Sequence, residues 1–195
     1  MTADTFSAHG WGRGLLGLVA LVLLAALAGC SEHRSPQHTQ PPVPIESGDV
    51  CAVCGMYITH YPGPRGEAYI KGRKTPLKFG STRDFFAYVL QPENSALLET
   101  LYVQDTAAMN WQHPKDHWID ARKAWYVPES ALPGAMGPTL ASFLHRKDAE
   151  AFAHRYGGQV LSFKQVNIKV ITDLSFNRVP GGAHPSTAPD RGGAP

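Results

Sequence analysis

Two thiols and a thioether fall within six residues at Cys51-Ala52-Val53-Cys54-Gly55-Met56. Thiolate and thioether are soft donors, and softness selects Cu(I) over harder ions. The C-x-x-C spacing lets both sulfurs converge on one ion, and Gly55 lets the backbone fold back so that Met56 can join them. Cu(I) needs few such donors, so the hexapeptide comes close to a complete site.

Other chemistries use the same cysteines and stay open at this point. Structural zinc takes four protein ligands, often from a second cysteine pair; here histidines from elsewhere would have to complete it. A c-type haem needs His directly after the second cysteine, where this chain has Gly55. A thiol–disulfide oxidoreductase places its pair at a helix N-terminus, which lowers a thiol pKa, but no helix started at Cys54 runs past Pro62. A local Cys51–Cys54 disulfide is the plainest alternative. Further donors to a metal could come from Met109, His113 and His117, which share one nine-residue stretch, or from His60. His33, His38 and His184 lie in polar, Pro-rich sequence and read as solvated.

The elements that must position this site read as α+β. Glu67–Lys71 and Thr75–Phe79 look like strands around a Gly72-Arg73-Lys74 turn. Ser81-Thr82-Arg83-Asp84 fits a helix-start capping box, and Phe85, Phe86, Val89 and Leu90 follow at helical spacing before Pro92. Leu101–Gln104 reads as a returning strand. The second half repeats the order: strands at Ala124–Val127 and Leu140–Leu144, a helix over Asp148–Tyr156 closed by Gly157, and a strand at Val160–Phe163. Val166–Ile171 reads as an additional strand. The expectation is two tandem ββαβ units forming a small sandwich, over residues 49–110 and 111–177. Residues 30–48 read as a tether and 178–195 as a disordered tail, both poor in anything to bury.

The start of the chain reads as an export signal. Arg13 precedes thirteen apolar residues, Leu15–Leu27, too few to span a ~30 Å hydrocarbon core at ~1.5 Å per residue. They end in Leu27-Ala28-Gly29-Cys30, which looks like a lipobox, so residues 1–29 read as a lipoprotein signal and Cys30 as the lipidated residue. That consumes one of three cysteines and leaves Cys51 and Cys54 for chemistry. A formal net charge of +2 with no long basic run gives no reason to expect nucleic-acid binding.

Asp49-x-Cys51-x-x-Cys54-Gly55-Met56, Tyr61-Pro62-Gly63-Pro64-Arg65 and Lys78-Phe79 resemble the NosL family, the nitrous oxide reductase accessory lipoproteins. The resemblance continues through Trp118-Ile119-Asp120-Ala121, Ala124-Trp125-Tyr126-Val127, Met136-Gly137, Phe143, Ala149 and Gly157-Gly158. It implies a non-enzymatic, membrane-anchored periplasmic Cu(I) chaperone on the inner or outer membrane. Its implied partners are the periplasmic component of an ABC-type copper-delivery complex and nitrous oxide reductase apoprotein. Cys54 and Met56 match the family's soft ligand pair, with Cys51 beside them and Met136 as a second thioether. Ala135 departs from the pattern, which has proline before that methionine in many relatives. The rival from another class is a thiol–disulfide oxidoreductase using Cys51 and Cys54, and Met56 separates the two, since redox exchange has no use for a thioether.

Overall fold

The computed structural model describes residues 40–176; the signal, Cys30 and the tail from 178 onward lie outside the described residues. The first half is built on a four-stranded antiparallel sheet of order β2-β1-β3-β4, from β1 (Gly66–Ile70), β2 (Leu77–Phe79), β3 (Leu98–Gln104) and β4 (Trp118–Asp120). Helix α1 (Thr82–Val89) follows β2, and a single turn, α2 (Pro92–Ser95), leads into β3. The second half has β5 (Trp125–Val127), β8 (Ala141–Phe143) and β9 (Leu161–Ser162) in the order β8-β5-β9, with α3 (Arg146–Tyr156) between β8 and β9. In both sheets the first strand of the unit is central, flanked by the second and third, so the ββαβ order holds in each half.

The halves share a core. Phe86 of α1 meets Tyr126 of β5 edge to face, centroids 4.8 Å apart, and also touches Phe163. Ser142 of β8 exchanges hydrogen bonds with Gln104 and Thr106 at the end of β3. β4 pairs with β3, so the first sheet continues past residue 110 to Asp120.

Two elements differ from expectation. Val166–Ile171 is not a strand: α4 runs over Ile168–Ser175, capped by the Asn167 side chain on the Val170 amide, and buries Ile171 and Leu174. The β-branched residues suggested a strand, but the Asn cap and the three-residue spacing of the buried positions decide for helix. The tether ends earlier than expected. From Gln40 to Ile45 the chain lies against the first sheet, held by hydrogen bonds from Tyr102, Tyr69 and Lys78 and to Glu67. Between β5 and β8 a two-residue connection, Ala135-Met136, joins β6 (Pro133–Gly134) to β7 (Gly137–Pro138).

Candidate metal centre

The hexapeptide closes on itself. The Cys51 amide donates to the Met56 carbonyl (2.9 Å) and the Gly55 amide to the Cys51 carbonyl (2.9 Å), while Val50 and Tyr57 pair as an isolated bridge at the base. Gly55 has φ 72, and a Cβ there would meet nothing within 4 Å. Glycine is favoured at this position by backbone conformation, not by space. The Ala52 amide donates to the Lys78 carbonyl (2.8 Å), which fixes the loop to β2. Cys51 is 2% exposed and packs with the core; Cys54 and Met56 are half-buried.

Both thiols are unbridged, and both donate to one carboxylate oxygen, Asp84 Oδ2, at 3.3 Å from Cys51 Sγ and 3.5 Å from Cys54 Sγ. The three donor atoms lie within 4.8 Å of one another. Among the described residues this is the one such grouping of Cys, His, Asp and Glu, so His60, His113 and His117 form no comparable cluster. Asp84 comes from the first turn of α1, where its own amide is capped by Ser81 Oγ (3.1 Å). Sequence reasoning assigned Asp84 to the capping box; its carboxylate instead turns to the cysteines.

Arg83 ties a second segment to this cluster. Its Nη2 lies 3.7 Å from Asp84 Oδ1 and its Nη1 donates to the Met136 carbonyl (3.2 Å). Ala135, 1% exposed, and Cys51 both lie beside Gly80, whose absent Cβ would stand 3.8 and 3.7 Å from theirs. The β6–β7 tip is therefore seated next to the cysteine loop. Met136 itself is 54% exposed with φ 58, a left-handed conformation that costs a non-glycine residue about 1–2 kcal/mol. Met109, His113 and His117 sit on the loop from β3 to β4, which is fixed at two points: Arg65 Nη1 donates to the Pro114 carbonyl, and Trp111 Nε1 to that of Pro133 on β6, the strand leading to the Met136 tip.

The electrostatics favour a neutral Cys54 thiol. Burial pushes the Cys54 thiol up to about 11; a hydrogen bond with the Met56 backbone pulls the other way, and neighbouring Cys51 and Asp84 push it further up. A redox nucleophile needs the opposite shift. Cys54 is thus presented as a protonated sulfur whose proton an incoming soft cation can displace.

Among the described residues no helix is long and apolar enough to cross a membrane. The NosL family model matches residues 42–171. The chain is 40% identical over 184 residues to the copper-binding lipoprotein NosL of Stutzerimonas stutzeri, covering 90% of this chain and 95% of that one. It is 36% identical over 163 residues to the copper-binding lipoprotein NosL of Achromobacter cycloclastes, covering 80% and 83%. The crystal structure of the copper chaperone NosL from Shewanella denitrificans superposes with a TM-score of 0.64 at 42% identity, over 69% of this chain and 98% of that one. Family match, identity and fold all agree with the motif order read from the sequence, and the chain belongs to the NosL family.

Proposed function

We propose that this protein is a lipid-anchored periplasmic Cu(I) chaperone that supplies copper for assembly of the copper centres of nitrous oxide reductase. Cys54 and Met56 are its soft ligand pair, with Cys51 as the second thiol. Copper is cargo here, and the protein turns over no substrate. The observation that carries the reading is the convergence of two unbridged thiols at a loop that also holds Met56. The copper-binding and chaperone names of the relatives support it. The raised Cys54 thiol weighs against the oxidoreductase alternative. Handover to the periplasmic component of an ABC-type complex, and from there to the reductase apoprotein, completes the proposed route. Met136, at the strained tip beside the cluster, is the best-placed further thioether. Met109, His113 and His117 belong to the β3–β4 loop, and neither histidine joins the cysteine cluster.

Asp84 and Met56 make opposite demands on metals. A carboxylate is a hard donor that serves zinc, whereas a thioether serves Cu(I). In chelator competitions on the reduced protein, Met56→Leu is expected to weaken Cu(I) by about tenfold or more, roughly 1.4 kcal/mol, and to leave Zn(II) unchanged. Asp84→Asn is expected to weaken Zn(II) and spare Cu(I), since it also removes a charge that disfavours the Cys54 thiolate. Equal losses for both metals in the Met56 variant would mean that its sulfur only packs.

A further inference from the structure

Glu67 is the central residue of a row that crosses the first sheet from Lys78 on β2, through Glu67 on β1 and Tyr102 on β3, to Asp120 on β4. The opposite face of the same strands carries Ala68, Phe79, Leu101 and Val103 into the core. Glu67 therefore points away from the core, yet it is 0% exposed. What lies over it is Gln40–Ile45. Each hydrogen bond to this strap uses a side chain of the covered face: Tyr102 Oη to the Gln40 carbonyl (2.8 Å), Tyr69 Oη to that of Pro41 (2.7 Å) and Lys78 Nζ to that of Pro44 (2.9 Å). Glu67 Oε2 accepts from the Val43 amide (3.1 Å), while its buried Oε1 has no partner.

We propose that the strap is a pH-sensitive latch: Gln40–Ile45 closes over the sheet while Glu67 is protonated and is released as Glu67 ionises. A buried carboxylate with one amide donor and an unpartnered oxygen is poorly solvated, and lifting the strap returns it to water. Burial is the main cause that pushes Glu67 up to about 7, with Asp49 pushing the same way and the Val43 amide and Lys78 opposing. Lys78 already lies 2.5 Å from Asp49 Oδ2, so much of its charge is engaged. Tyr69 and Tyr102 are themselves raised above the ordinary phenol range and stay neutral donors. Of the other acidic groups nearby, Asp120 is paired with Lys123, and Glu46 is exposed beyond the strap.

The sign follows from linkage. The closed state holds its proton more tightly than the open one, so closure is strongest below the ordinary carboxyl range. Its advantage is lost as pH rises through about 7. The consequence for the tether rests on the lipid-anchored reading: at ~3.6 Å per residue, the chain from Cys30 spans at most about 35 Å to Gln40, and nearly twice that to Asp49 with the strap free. Lys78 links this event to the copper loop, because it holds the strap at Pro44 and the loop at Asp49 and Ala52.

Hydrogen exchange of the Val43 amide, corrected for intrinsic rates, tests the latch without reference to copper or lipid. Between pH 5 and pH 8 its protection in the wild-type protein is expected to fall roughly fiftyfold or more. Ladder amides of β1 and β3 should keep theirs. In Glu67→Gln, which keeps an acceptor but cannot ionise, protection should be nearly level across that range. Unchanged Val43 protection in the wild type overturns the proposal, and so does a loss shared equally by the ladder amides. An equal fall in Glu67→Gln would assign the effect to another group and overturn it as well.

Discussion

Replacing Cys54 with serine is expected to lower Cu(I) affinity by at least about a thousandfold, ~4 kcal/mol, the largest loss from any single change at the centre. Serine keeps the size and the hydrogen bond to Asp84 but cannot supply an anion to the ion. Cys54 is half-buried at the open side of the loop, so the exchange should leave folding intact, which the far-UV spectrum checks. Cys51 differs in its surroundings. It is 2% exposed and packs among Ile58 and neighbouring core residues, so its serine variant loses stability along with affinity. Competition against a colorimetric Cu(I) chelator, read beside a denaturant midpoint for each variant, separates the two effects. A Cys54→Ser protein that binds Cu(I) within tenfold of wild type would remove this residue from the ligand set.

The second large effect is on pH. With its thiol near 11, Cys54 is protonated throughout the range in which the protein would work, and each Cu(I) bound must displace that proton. Apparent Cu(I) affinity should therefore climb about tenfold per pH unit from pH 6 to pH 9 for each proton released, with no plateau below pH 9. An unshifted or lowered thiol would flatten the slope inside that window. In Cys54→Ser the contribution of this residue disappears. Proton release on metal addition, measured in weak buffer, should give at least one proton per copper. The same raised thiol slows oxidation, because the thiolate is the reactive form.

How far this was legible in the sequence depends on the range of the forces involved. The sulfur loop was readable because its donors are adjacent and Gly55 marks the fold-back. The ββαβ order was readable because alternation, a Ser cap and Gly157 are local signals. Asp84 was seen and misassigned. Ser81-Thr82-Arg83-Asp84 has the composition of a capping box, and Ser81 does cap the helix, but the carboxylate is claimed by cysteines 30 and 33 residues away. That preference is set by tertiary contact and leaves no trace in spacing. The strap was missed for a similar reason. Gln40–Ile45, with three prolines and no periodic pattern, reads as a tether, and it is ordered by donors and acceptors that β1, β2 and β3 bring to one face. The Pro133-Gly134…Gly137-Pro138 symmetry could have revealed the tip carrying Met136, since Pro-Gly and Gly-Pro pairs bracket tight turns.

Under the proposed function this loop holds Cu(I) through sulfur in an open, low-coordinate shell, which copper K-edge X-ray absorption of the reduced, singly loaded protein examines at the metal itself. The expected spectrum is a Cu(I) edge with a first shell dominated by sulfur, which loses a scatterer in Cys54→Ser and another in Met56→Leu. A closed four-coordinate shell rich in nitrogen and unchanged in both variants would contradict it.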